Sequence, residues 1–161
     1  MYSPWYILLA TASSATAAAL SRRITYAFSV SDFQGHMLDL SDGGVENCTP
    51  VQSFTPANTT NQQWVLISSQ DSRQLWEIHN VGSGTNMAHT TALLEKPGPA
   101  IHAQVVGGNQ TTWWRMSCSS EGCRFSDADS SLALTAWPAA AGYPSSPVKT
   151  GFKSQALCIT Y

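Results

Sequence analysis

Four consecutive residues, Asn61-Gln62-Gln63-Trp64, combine hydrogen-bonding chemistry with a large aromatic side chain. Side-chain amides carry both donors and acceptors, so they can bind polar groups of many kinds. A Trp that anchors a hydrophobic core leaves the amides beside it free to hydrogen-bond something else. The tetrad therefore indicates polar recognition at the edge of a core.

Two short segments before this tetrad alternate as strands do. They are Met37-Leu38-Asp39-Leu40 and Val51-Gln52-Ser53-Phe54, and turn-forming residues at 41–44 and 55–58 follow them. Beyond residue 20 the chain shows no sustained 3.6-residue apolar period. We therefore predict an all-β domain of about twelve short strands.

The first residues form a predicted leader. An apolar stretch runs from Trp5 to Leu20 without a charge, and small-x-small triplets at 15–17 and 17–19 suit a signal peptidase. No Lys or Arg precedes the stretch, and it is short for a stable membrane span. We predict a secretory signal peptide over residues 1–19, export from the cell, and no stable membrane insertion after its removal.

An even number of cysteines, four, suits an exported chain with two disulfides. Cys118 and Cys123 are spaced for a locally stapled hairpin, which leaves Cys48 to pair with Cys158, although four cysteines allow three pairings. The sequence also contains three Asn-x-Ser/Thr sequons, so we predict N-glycosylation. The sequon asparagines are Asn47, Asn58 and Asn109.

Composition argues against several classes of partner. Charged residues make up 11% of the chain, the net charge is −2, and no basic patch appears, so nucleic acid is not an expected partner. Cysteines and histidines lack metal-ligand spacing, so we expect neither a metal nor another cofactor. The motifs G-x-S-x-G and H-E-x-x-H are missing from the sequence, and we predict a non-enzymatic protein with no catalytic residues.

The landmarks recur after a shift of about 50 positions, which indicates units that bury their apolar faces against one another. A 27-residue interval separates Met from Trp in both copies. A third, worn copy contains 132–134, 147–149 and Leu157, and the repeats span about 25–73, 74–122 and 123–161. The aligned pairs are Met37 with Met87, Val51 with Ile101, and Trp64 with Trp114.

The Leu-Asp, Val-Gln-x-aromatic and Asn-Gln-x-Trp landmarks resemble the ricin B-type lectin repeat. The resemblance covers about residues 25–161 and implies a β-trefoil, in which three four-stranded repeats are related by pseudo-threefold symmetry. It also implies binding of glycans or glycoproteins, with a galactose-like or N-acetylgalactosamine-like sugar as the ligand.

The same resemblance assigns roles in the first copy. Asp39 would accept hydrogen bonds from sugar hydroxyls, Phe54 would stack on the sugar, and Asn61 would add a hydrogen bond. Gln62 and Gln52 would position or assist. Each residue also has a structural alternative. Asp39 could stabilise the turn that follows it, Phe54 could belong to the core, and the amide side chains could hydrogen-bond one strand to another.

The other copies look degenerate at these positions, so we predict one working site. His89 and Ala133 align with Asp39, Gln104 and Gly151 with Phe54, and Thr111 and Ser154 with Asn61. Two alternatives stay open. One is a secreted trefoil that binds a protein, such as a protease inhibitor, through the loops at 95–99 or 137–144. The other is a scaffold whose sugar sites have all decayed.

Overall fold

The computed structural model describes residues 27–69, 73–90, 105–138, 143–151 and 158–160. The predicted leader, the 95–99 loop and the aligned positions Ile101, Gln104, Ser154 and Leu157 lie outside these residues. Within them the chain forms twelve strands and two 3-10 helices, Ser41–Gly43 and Thr60–Gln62. The strands are β1 (Ser29–Ser31), β2 (Met37–Leu40), β3 (Thr49–Phe54), β4 (Trp64–Ser68), β5 (Trp76–Asn80), β6 (Asn86–His89), β7 (Val105–Gly108), β8 (Trp114–Ser119), β9 (Gly122–Asp127), β10 (Ala133–Ala136), β11 (Ser145–Gly151) and β12 (Cys158–Thr160).

The strands form three units of four, β1–β4, β5–β8 and β9–β12. In each unit the second and third strands form an antiparallel hairpin. The last strand of one unit pairs with the first strand of the next, and β12 returns to pair with β1. The predicted fold class, an all-β trefoil of three four-stranded repeats, is confirmed.

The core is built around two tryptophans, Trp64 and Trp114, both fully buried. The indole N–H of Trp64 donates to the Leu38 carbonyl at 2.9 Å, and that of Trp114 donates to the Met87 carbonyl at 3.2 Å. A buried indole needs such a partner, because its N–H would otherwise lose its bond to water without replacement. Each Trp thereby fixes the second strand of its unit against the core.

The strand register corrects the predicted alignment of the copies. A turn between the first and second strands of every unit is closed by an equivalent Asp or Asn, namely Asp32, Asn80 or Asp127. The Asp32 N–H bonds the His36 carbonyl and the Asn80 N–H bonds the Thr85 carbonyl. Counting onward from these two carbonyl residues equates Leu38, not Met37, with Met87. The bonded carbonyl lies 26 residues before the Trp in the first unit and 27 in the second. The equal Met-to-Trp interval was therefore misleading.

The correction changes the counterparts of the predicted site residues. Ala88 and Thr135, rather than His89 and Ala133, occupy the position of Asp39. Gly108, rather than Gln104, occupies that of Phe54. A slip of one residue moves a side chain to the opposite face of a strand, which is why the distinction matters. Both corrected positions still lack a carboxylate and a ring.

The predicted disulfide between Cys118 and Cys123 is present, joining β8 to β9 beside their turn. The predicted bond between Cys48 and Cys158 is wrong, because Cys48 is exposed and carries a free thiol. The backbone accounts for this. Cys48 precedes β3 beside the β7 end, where Asn47 accepts a hydrogen bond from the Asn109 N–H, whereas Cys158 lies opposite Ser31 of β1.

The three sequon asparagines, Asn47, Asn58 and Asn109, are all exposed. Among the described residues, no group of His, Cys, Asp and Glu is placed to hold a metal ion. None of their helices has the length and apolar character needed to span a bilayer.

Candidate functional site

The outward face of the β2–β3 hairpin carries the candidate site. Asp39 lies directly opposite Gln52, and Met37 lies directly opposite Phe54. Because side chains alternate along a strand, these four share one face of the hairpin. The opposite face belongs to the core and consists of Leu38, Leu40, Val51 and Ser53, all buried.

Asp39 presents a carboxylate that is largely shielded from solvent, with 6% of the residue exposed. Gln52 Nε2 donates to Asp39 Oδ1 at 3.1 Å, which fixes the orientation of the carboxylate. Among the described residues Gln52 is its only hydrogen-bond donor, so Oδ2 keeps its acceptor capacity. The structure thus assigns Gln52 a positioning contact to Asp39.

Phe54 ends β3 and is partly exposed, outside the cluster of buried core residues. Diagonal neighbours on one face of a hairpin are about 7–8 Å apart, so its ring lies within reach of a molecule bound at Asp39. An aromatic ring placed beside a polar anchor in this way can stack on an apolar ligand face. The alternative that Phe54 is a core residue does not fit its exposure.

Asn61 is brought to the same area by the second 3-10 helix, which contacts both β2 and the first 3-10 helix. Its side chain packs on Gly43, where an added Cβ would lie 2.7 Å from Asn61 Oδ1. Its carbonyl accepts a hydrogen bond from Asn80 Nδ2 at 2.9 Å. A neighbouring turn and a residue of the second unit therefore hold Asn61 in place.

Gln62 is not available for ligand contact. It is 2% exposed, its Oε1 accepts the Ala57 N–H at 2.8 Å, and its Nε2 donates to the Thr55 carbonyl at 3.0 Å. Both ends of the amide are satisfied by backbone, as a buried amide requires. Gln62 thereby fixes the loop that follows β3.

A hollow of about 350 Å³ lies beside this loop and adjoins the face that carries Asp39, because Met37 of that face lines it. Asp39, Phe54 and Asn61 do not line it. Residues that line the hollow include Met37, Pro56, Asn58 and Gln62.

Two contributors to the site, Gly43 and Asn80, were missed by the sequence analysis. Gly43 has φ +62°, and the Asp-Gly pair in the turn was the available signal for such a backbone. Nothing in the sequence links Asn80 to Asn61, because the contact depends on how two units pack. Sequence reasoning is weakest for such contacts between units.

A contact between a histidine and an aspartate joins the second and third units. His89 Nε2 lies 3.5 Å from Asp127 Oδ2, and the Ser130 N–H donates to the same oxygen at 2.9 Å. Burial alone would raise the pKa of Asp127, but hydrogen bonds from His89, Ser130 and Asp129 outweigh it and hold that pKa well below its usual range. This carboxylate closes a turn and has no role at the β2–β3 face.

A family model described as a ricin-type beta-trefoil lectin domain-like domain matches residues 60–149. The chain belongs to this lectin family. No curated protein sequence matches it at a significant level. Family and fold together point to carbohydrate binding in general.

Solved structures of the same fold are similar along most of this lectin-like chain. The Rhizoctonia solani agglutinin is 19% identical, with 83% of this chain and 93% of that one covered and a TM-score of 0.67. A designed threefold-symmetric protein, ThreeFoil, is 18% identical over 84% and 98%, with a TM-score of 0.70. The ricin B-like lectin of Macrolepiota procera, solved with lactose, is 17% identical over 84% and 94%, with a TM-score of 0.66.

Proposed function

We propose that the protein is a secreted lectin that binds a galactose-type or N-acetylgalactosamine-type sugar through its first unit. The arrangement of the β2–β3 face supports this: an oriented carboxylate and a partly exposed ring share the face, and the 3-10 helix that carries Asn61 contacts β2. Carbohydrate recognition needs this combination of an apolar plate and a few fixed polar groups.

The chemistry of each residue follows from its surroundings. Asp39 accepts two neighbouring sugar hydroxyls through charge-assisted hydrogen bonds, the stronger kind. Phe54 covers the C–H face of the sugar, and Asn61 bonds a further hydroxyl. Gln52 orients the Asp39 carboxylate, and Gln62 fixes the loop that follows Phe54.

The choice of a galactose-type sugar is supported by a structure of the same fold, the Macrolepiota procera lectin, solved with lactose. We further propose that the protein is not an enzyme, since lectins of this fold are generally non-enzymatic. The proposal of secretion is supported by the leader-like residues 1–19 and by three exposed sequon asparagines.

A glycan array with the purified mature protein tests the function. We expect binding to glycans that end in galactose or N-acetylgalactosamine, and loss of that binding in Asn61→Ala protein of unchanged circular dichroism. Glycans ending in mannose serve as the negative control. A silent array would contradict the proposal and favour the protein-binding or decayed alternatives.

Secretion is tested separately by expressing the full chain in cultured eukaryotic cells. We expect the protein in the medium, with an amino terminus near residue 20. Retention of an unprocessed chain inside the cells would overturn this part alone.

A further inference from the structure

The sheet surface that carries the candidate site continues into the third unit. β3 pairs with β2 on one side and with β11 on the other, and β11 pairs with β10. These four strands therefore share an inward and an outward face. The inward residues of the two added strands, Leu134, Ala136, Ser146 and Val148, are all buried.

One row across this surface leads from Asp39 to an exposed aromatic ring. Gln52 lies between Asp39 and Pro147, and the Trp137 N–H donates to the Pro147 carbonyl at 3.3 Å. Strands in a sheet are about 4.8 Å apart, so the Cα atoms of Asp39 and Trp137 are roughly 14 Å apart. The row changes from carboxylate and amide to an exposed proline and then to Trp137, which is 40% exposed.

The end of this row carries a positive charge. Lys149 Nζ lies 5.0 Å from the centre of the Trp137 ring, a cation–π distance. Among the described residues, no carboxylate forms an ion pair with Lys149. Its ammonium is therefore available to an anion from solution.

One cross-strand pair of the first unit carries a negative charge, whereas the equivalent pair of the third unit carries a positive charge. Asp39 and Gln52 of the first unit correspond to Thr135 and Lys149 of the third. The first pair suits neutral hydroxyls, whereas a lysine beside an aromatic ring suits an anionic group on a flat ligand.

We propose that Trp137 and Lys149 form a subsite for an acidic sugar residue. The residue belongs to an oligosaccharide whose neutral galactose-type unit sits at Asp39, so this inference rests on the proposed function. A single sugar is too small to touch both ends of the row, but an oligosaccharide passes over Pro147. Trp137 supplies a stacking surface and Lys149 binds the carboxylate or sulfate.

Calorimetric titration with three probes tests the subsite: lactose, 3′-sialyllactose and lactose extended at its galactose by one sulfated sugar. We expect both acidic probes to bind about tenfold more tightly than lactose at low salt, with the advantage shrinking as salt screens the charge. If both acidic probes bind more tightly than lactose, the subsite recognises negative charge in general. If only one of them does, the subsite recognises the carboxylate or the sulfate that this probe carries.

Two variants and a control isolate the residues. Lys149→Gln should remove the advantage of the acidic probes, and Trp137→Ala should reduce it severalfold, while lactose affinity stays unchanged. Arg124→Gln removes an exposed cation on β9 and should change nothing. Circular dichroism checks that each variant folds.

The outcomes separate this inference from the proposed function. If no probe binds, both fail. If lactose binds but the acidic probes gain nothing, the subsite is overturned and the function stands. An advantage that Arg124→Gln reduces as much as Lys149→Gln would reflect general charge and would also overturn it.

Discussion

The β2–β3 hairpin of the first unit and the β6–β7 hairpin of the second share a register but present different outward faces. In both, a buried Trp donates its indole N–H to the second strand of the unit. The first hairpin presents Asp39, Gln52 and Phe54 outward, and the second has Ala88, Val106 and Gly108 at the same positions.

The second hairpin is closed to a ligand for a packing reason as well as a chemical one. Ala88, Val106 and Gly108 are all buried. A Cβ on Gly108 would lie 2.7 Å from Asn47 Oδ1 and 3.2 Å from the Asn47 Cα. Part of the first unit therefore covers the place where a ring would stand. Hairpins of the same frame are therefore not equivalent sites, because function depends on the outward residues and on what lies over them.

The largest expected effect is the loss of sugar binding in Asp39→Ala. Removing a carboxylate that accepts two hydroxyls costs about 3 kcal/mol, or more than a hundredfold in affinity. Titration calorimetry with lactose measures it. Asp42→Asn changes an exposed acid in the adjoining turn and should leave affinity unchanged. Equal binding by wild type and Asp39→Ala would remove the distinction between the two hairpins.

Gly43→Ala should lower both stability and affinity, because Gly43 has φ +62° and its Cβ would meet the side chain of Asn61. A left-handed backbone costs a non-glycine residue about 1–2 kcal/mol, and displacement of Asn61 should weaken lactose binding about tenfold. Urea unfolding and calorimetry give the two quantities.

Gly84→Ala is the matched control in the second unit. Gly84 has φ +71°, but a Cβ there meets nothing within 4 Å. This variant should show the backbone penalty and normal lactose affinity. If Gly84→Ala weakened binding as much as Gly43→Ala, the contact with Asn61 would not be the cause.

The sequence was sufficient for the fold and for the composition of the first-unit face, because both follow from local patterns. Alternation placed Asp39 and Phe54 on strands, and the Gln-x-Trp landmark identified the core Trp of two units. The alignment of copies failed because a one-residue difference in spacing leaves the apolar pattern similar but reverses the faces. Long-range contacts, such as Asn80 with Asn61 and Trp137 beyond Pro147, depend on the packing of units and leave no local signal.

Acid should weaken the junction of the second and third units. The pKa of Asp127 is lower in the folded state, since hydrogen bonds from His89 and Ser130 outweigh its burial. Its ionised form therefore stabilises the fold above the ordinary Asp value of about 4, and this contribution is lost as the pH falls below that value. Urea unfolding between pH 7 and pH 2 should show a steeper loss in wild type than in Asp127→Asn. Parallel pH curves for the two proteins would contradict this role.

The smallest expected effect concerns glycans, and it tests whether a glycan at the hollow reaches the site face beside it. Asn58 lines the hollow, whereas Asp39, Phe54 and Asn61 do not. Because surface substitutions away from a site usually change free energy by less than about 0.5 kcal/mol, Asn58→Gln should alter lactose affinity by no more than about a factor of two. Asn109→Gln removes a sequon where the second unit contacts the first, and it is the matched control. A severalfold gain in affinity for Asn58→Gln protein alone would mean that a glycan on Asn58 extends over the β2–β3 face.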